Sequence, residues 1–188
     1  MKKMIAVPSL LVVTLAVIGA SAGTVADTPA RVSRAVMRSV EDNLNERLSR
    51  LWAADTPMAL TSHARGLYLD GYGAVFTLEM NIANDGVGLM TPTLTPQMKN
   101  QVKQKKIDRM PQLQKTLSLA LVDAAATLDP VPLDEQVVIE VDLLRYSWED
   151  GSGYPAELLV QSSRRKLLDV KRANGVGLDA AVHVSERN

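Results

Sequence analysis

The chain has 188 residues, of which 46% are apolar and 22% charged, and its 21 basic side chains balance its 21 acidic ones. This composition is ordinary for a globular protein and excludes a collagen-like, a wholly disordered or a multi-span membrane protein. A neutral chain has no overall electrostatic attraction to nucleic acid, and one Phe, two Trp and four Tyr offer few rings for base stacking. We therefore expect no nucleic-acid partner.

The N-terminus has the features of a bacterial secretory signal peptide. Lys2 and Lys3 precede an almost wholly apolar run at 5–18, and Ala20–Ala22 forms a small-residue cleavage site. The apolar run is shorter than the ~20 residues that a membrane-spanning helix needs. We expect cleavage and a periplasmic or secreted location; a retained segment would instead bring membrane contact and make the protein a membrane-anchored envelope subunit. The expected segments are a signal peptide at 1–22, a flexible lead at 23–29 and a single α+β domain at 30–188.

Several chemistries are poorly supported by the residue types present. The sequence has no cysteine, which rules out disulfides, a thiol nucleophile, thiolate zinc sites and lipid attachment through an N-terminal Cys. His63 and His183 stand alone, without the second ligand of a helical zinc motif. We expect no metal and no cofactor, and no motif identifies a catalytic residue.

A helix and a hairpin come first in the expected domain. Apolar residues recur at three- or four-residue steps over 30–54, which predicts an amphipathic helix with Thr28 as its N-cap. A β-hairpin is expected at 67–83, because apolar residues alternate from Ala74 onward after an Asp-Gly-Tyr-Gly turn at 70–73.

A second helix is expected to begin at Thr95-Pro96 and to be kinked or restarted at Pro111. Its first section is basic, and we interpret that section as a solvated face without aromatic companions; the alternative is a patch for phosphate or acidic polymers. An apolar stripe from Leu113 to Leu128 makes this helix the expected cover for the hairpin. The basic residues are Lys99, Lys103, Lys105, Lys106 and Arg109.

The remaining elements complete the expected fold. Alternating apolar residues predict a second strand pair at 136–145 and 156–161, a short helix at 164–173 and a last strand at 178–184. Strands joined by short turns pair antiparallel. We therefore predict an α+β fold, with a mostly antiparallel sheet of about four or five strands and amphipathic helices packed on one face.

The turn between the second pair of strands is the best local candidate for a recognition surface, because aromatic residues flank an acidic, glycine-containing loop. The same aromatic residues could instead clamp the end of the hairpin onto the core. The candidate binding residues are Tyr146, Trp148, Glu149, Asp150 and Tyr154.

Two functions remain open on this basis. The first is a non-enzymatic envelope binding or protein-interaction module, whose partner would be another envelope protein. The second is a small hydrolase that uses Glu79, Glu140 or Asp142, since these carboxylates project from the polar faces of expected strands. An ordinary hydrated face of a sheet has the same pattern, which favours the binding module.

Overall fold

A computed structural model describes residues 32–52, 59–83, 94–150 and 152–188. The expected signal peptide and flexible lead lie outside these residues. Within them, no helix is both long and apolar enough to cross a membrane. In chain order the elements are α1 (Arg34–Arg50), β1 (Ala59–Leu60), β2 (Arg65–Leu69), β3 (Gly73–Asn81), α2 (Pro96–Thr127), β4 (Gln136–Leu143), β5 (Glu157–Ser163), α3 (Arg164–Arg172), α4 (Leu178–Ala181) and β6 (His183–Arg187).

The described strands form one sheet in which β1 and β2 both pair with β3, followed by β4, β5 and β6. The α+β class is confirmed. The sheet is mixed, because β3 and β4 are parallel whereas the other strand pairs in the described residues are antiparallel. The parallel pair arises because α2, a helix of 32 residues, carries the chain back to the end of the sheet at which β3 began.

The first hairpin is confirmed. Strands β2 and β3 pair from Arg65 opposite Thr77 to Leu69 opposite Gly73, and the Tyr72 backbone N–H donates to the Leu69 carbonyl at 3.0 Å. The predicted alternation holds along β3, where Phe76 and its apolar neighbours two residues apart are buried. This strand lies between β2 and β4, and its buried side chains form part of the core.

The helices cover one face of the sheet. Helix α1 packs against β1 and β2, while α2 packs against β4, β5, α1 and α3. The core beneath them includes Leu48, Phe76, Leu117 and Ile139, all at 0% exposure. The opposite face keeps Leu67 on β2 61% exposed. The predicted one-sided arrangement of helices therefore matches the described residues, although α1 rather than α2 covers the first hairpin.

The two long helices differ from their predicted limits. Helix α1 begins at Arg34 because the Ser33 hydroxyl accepts from the Val36 backbone N–H at 3.3 Å, so Thr28 is not its N-cap. Helix α2 begins as predicted, with the Thr95 hydroxyl accepting from Met98. The predicted restart at Pro111 is wrong: α2 continues through it, since the buried side chains on either side pack into the core and Pro111 itself is exposed.

The C-terminal region is partly mispredicted. Helix α3 is confirmed, and it ends where Asn174 and Gly175 take positive φ values of 52° and 89°. The expected strand at 178–184 is a short helix followed by β6. Leu178 and Val182 are spaced i and i+4, which satisfies a helical turn as well as a strand, so alternation alone could not separate the two.

Candidate functional site

A fully buried lysine organises the loop between β4 and β5. Lys106 on α2 has 0% side-chain exposure, and its Nζ donates to Glu149 Oε2 at 2.8 Å. The same ammonium group donates to the Leu144 carbonyl at 2.9 Å and to the Tyr154 hydroxyl at 3.2 Å. Three acceptors from one loop therefore converge on one cation, which ties that loop to the helix.

Glu149 is the buried counter-charge, with 1% side-chain exposure. Its Oε2 also accepts from the Tyr146 backbone N–H at 2.6 Å, and its own N–H donates to the Tyr146 carbonyl at 2.9 Å. Burial raises the pKa of the Tyr154 phenol, and the neighbouring Glu149 carboxylate raises it further. A charge buried this deeply needs a partner, so Glu149 and Lys106 fix each other's position.

The aromatic rings of the loop stack above this ion pair. Tyr146 and Trp148 have ring centroids 5.4 Å apart and planes 10° from parallel. The Lys106 ammonium lies 4.7 Å from the Tyr146 centroid, and the Lys99 ammonium lies 5.7 Å from the Trp148 centroid. Asn81 on β3 donates to the Tyr146 hydroxyl at 2.7 Å. The Tyr146 ring is thus held by Asn81 and Lys106, while Trp148 remains partly exposed.

A cleft of about 200 Å³ opens beside Trp148, between the loop and the first turns of α2. One wall comes from the first two turns of the helix, whose N-terminal end carries partial positive charge. The Lys103 ammonium binds the Asp150 carboxylate at 2.9 Å and the Ser152 hydroxyl at 2.5 Å across this cleft. We name it the aromatic cleft; its lining residues are Pro96, Lys99, Asn100, Lys103, Trp148, Glu149 and Asp150.

The contact between Lys103 and Asp150 across the aromatic cleft is expected to depend on pH. Hydrogen bonds from Lys103 and Ser152 lower the pKa of Asp150 from 3.8 to about 2. Because the folded-state pKa is depressed, the contact is complete above pH 3.8 and is lost as the pH falls through about 2. We expect an NMR titration of the Asp150 carboxyl carbon to have its midpoint near 2, and a higher midpoint in K103Q that stays below 3.8 because the Ser152 hydrogen bonds remain. A wild-type midpoint near 3.8 would contradict the contact.

The structure brings the five predicted binding residues together but gives them different positions. Trp148 and Asp150 line the aromatic cleft, and Tyr146 stacks against Trp148. Glu149 and Tyr154 belong mainly to the interior, with Tyr154 only 4% exposed. The two interpretations of the loop are therefore compatible: some of its residues clamp it to the core, and others face the cleft.

The prediction of a solvated basic section on α2 is wrong for two of its residues. Lys106 is buried, and Arg109 is 5% exposed with its guanidinium 4.6 Å from the Trp52 ring and a hydrogen bond to the Ile82 carbonyl. Aromatic residues do accompany the section, since four rings contact its cations. The available signal was the helical spacing, which places Lys106 on the same stripe as the core residue Leu113.

The carboxylates of the alternative hydrolase lie on the sheet face opposite the helices. Glu79 and Asp142 are register partners across the parallel pair, and Glu140 lies on the same face two residues before Asp142. Asp142 is exposed, while Glu79 and Glu140 are half-buried. Asp142 also faces Glu157 on β5. The predicted proximity of these groups is therefore present, in the arrangement of a hydrated sheet face.

The lining of the aromatic cleft combines a partly exposed indole, two ammonium groups and two carboxylates. Among the described residues, no group of three or more His, Asp or Glu side chains has the arrangement of a metal site. No protein-family model, no curated protein and no solved structure matches this chain.

Proposed function

We propose that the protein is a non-enzymatic binding module of the bacterial cell envelope, and that the aromatic cleft receives a segment of another envelope protein. One observation carries the proposal. The buried pair of Lys106 and Glu149 holds a surface loop against α2, so that Trp148 is presented in one position. Fixing a recognition loop in advance lowers the entropy that binding would otherwise cost.

The contents of the cleft favour a protein partner. Tryptophan is enriched among the residues that dominate binding energy in protein interfaces, and here Trp148 is partly exposed beside cations. The cleft of about 200 Å³ is smaller than the roughly 300–1,000 Å³ of sites for drug-sized molecules, and its size suits one inserted side chain. Lys99 and the N-terminus of α2 favour a carboxylate on that partner.

The envelope location rests on the N-terminal segment. Its basic start, short apolar run and small-residue site support export with cleavage after Ala22. The absence of cysteine fits a domain that relies on packing in an oxidising compartment. If the segment were retained, the same module would be anchored in the membrane as an envelope subunit.

A carboxylate-dependent hydrolase is the second candidate, and the register of Glu79 opposite Asp142 is the observation that favours it. Acid–base catalysis by two carboxyl groups needs environments that make one of them hold its proton. Asp142 is exposed, and a side chain open to water lacks such an environment. The binding module is therefore the better supported function.

The test is crosslinking and affinity recovery of the full-length protein from its native cell envelope, with intact-mass analysis of the recovered chain. Wild type is compared with W148A and with K166Q, which alters an exposed residue on α3. We expect one reproducible partner with wild type and K166Q, and roughly 30-fold weaker binding of that purified partner by W148A, as for a residue that dominates an interface.

Each other outcome has a defined meaning. Equal binding by W148A and wild type would contradict the role of the aromatic cleft, provided that both chains show the same unfolding midpoint. Recovery of the protein alone would contradict the interaction module and direct attention to hydrolase screens with D142N. A recovered chain that begins at Gly23 would support cleavage, whereas one that retains residues 1–22 would support the anchored form.

A further inference from the structure

A second and larger cleft lies where α1, α2 and α3 meet. Its lining residues do not include any from the β4–β5 loop. Its volume is about 340 Å³. Its apolar lining comes from α2 and α3, and its charged lining comes from all three helices. We name it the helix-junction cleft; its principal residues are Arg47, Leu119, Val122, Asp123, Val170 and Lys171.

Two cations share one carboxylate in this cleft. Asp123 Oδ2 accepts from the Arg47 guanidinium, and Asp123 Oδ1 accepts from the Lys171 ammonium at 2.5 Å. Burial acts to raise the pKa of Asp123, but the hydrogen bonds and charges of Lys171 and Arg47 outweigh it and lower that pKa. With Asp123 ionised, the group keeps one net positive charge.

Hydrogen-bond donors remain on both cations. A guanidinium has five N–H donors and an ammonium has three. Within the described residues, Arg47 donates to a side chain only through one terminal nitrogen, and Lys171 donates only to Asp123. The unused N–H groups lie at a half-exposed site, with the Arg47 side chain 30% exposed. They are available to an anion that enters the cleft.

The neighbouring surface is apolar and accessible. Leu119 on α2 is 38% exposed, and Val176, directly after the lining residue Gly175, is 75% exposed. Val122 and Val170 continue this surface into the cleft, where each is 5% exposed. An apolar wall beside an excess positive charge matches a ligand that has an apolar body and one anionic head.

We propose that the helix-junction cleft binds a small amphipathic anion. Its apolar body packs on Leu119, Val122 and Val170, and its head accepts hydrogen bonds from Arg47 and Lys171. The volume lies within the range of small-molecule sites. Charge-assisted bonds from a guanidinium suit both carboxylate and phosphate heads, so the head group is defined by its charge. Asp123 then competes with the ligand for the same two cations.

The competition gives the proposal its sharpest test. Isothermal titration of the full chain with octanoate is expected to show saturable binding. R47Q and K171Q each remove a donor to the head, and we expect roughly tenfold weaker binding. D123N removes the competing carboxylate, and we expect tighter binding by a similar factor. R172Q, which alters the next residue on α3 but does not line the cleft, is the matched control and should bind as wild type does.

A variant outside the ion cluster distinguishes loss of binding from loss of folding. Leu119 is exposed, so L119D should fold normally and abolish octanoate binding by placing a charge on the apolar wall. Equal binding of octanoate and octyl phosphate would support a site defined by charge. No saturable binding by wild type at millimolar octanoate, equal binding of neutral 1-octanol, or weaker binding by D123N would each overturn the proposal.

Discussion

Replacement of Lys106 by methionine is expected to lower the free energy of unfolding by about 3–5 kcal/mol. The side chain is fully buried, and its ammonium is the counter-charge of a carboxylate that is 1% exposed. Without it, Glu149 would remain buried without a cation, and the Leu144 carbonyl and the Tyr154 hydroxyl would lose a donor. The measurement is urea denaturation of wild type and K106M at neutral pH.

Two further variants separate this electrostatic effect from the loss of side-chain packing. K115M alters an exposed lysine on the same helix and should stay within about 0.5 kcal/mol of wild type. The double variant K106M/E149M removes both charges, and we expect it to regain most of the lost stability, since a buried ion pair contributes little net stability over apolar residues. A double variant as unstable as K106M alone would contradict this explanation.

The contacts of this ion pair show which part of the candidate site the sequence can predict and which part it cannot. The aromatic and acidic residues of the loop are close together in the chain, so local composition identified them. Lys106, which holds the loop in place, lies on α2 and precedes Glu149 by 43 residues in the chain. A contact at that separation leaves no local signal, and the sequence could not show which of the loop residues turn inward.

Burial of charged residues on α2 was hidden for a related reason. Val102, Lys106, Arg109 and Leu113 follow one another at three- and four-residue steps, and all four are buried. Charged residues are rarely buried unless they are paired, so the residue types predict an apolar stripe that begins only at Leu113. The helical period alone identifies the side of α2 that faces the interior. The charges of Lys106 and Arg109 argue against that assignment, although it is correct.

The first hairpin shows the opposite case. Alternation along β3 and a glycine-containing turn are local signals, and they predicted the strands and the buried face correctly. The parallel pairing of β3 with β4 had no such signal. Antiparallel pairing was expected from short turns, but the connection between these strands contains α2, and a long helical crossover returns the chain for parallel pairing.

Replacement of Gly73 by alanine is expected to lower the free energy of unfolding by more than about 3 kcal/mol, with urea denaturation as the measurement. Gly73 begins β3 with φ of +135°, which L side chains rarely adopt. An added Cβ would lie 1.9 Å from the backbone carbonyl oxygen of Gln136, its partner in the parallel pair. Backbone atoms on both sides leave no flexible side chain to yield, so the strands must separate at this point.

Gly71 in the neighbouring turn supplies the control, because its φ is also positive but no other atom approaches it closely. Gly71 has φ of +76°, and an added Cβ there would meet nothing within 4 Å. G71A should therefore cost only the backbone strain of about 1–2 kcal/mol. Equal losses in G71A and G73A would contradict the argument from contact with Gln136. A larger loss in G73A would show that the parallel junction, rather than the turn, requires the glycine.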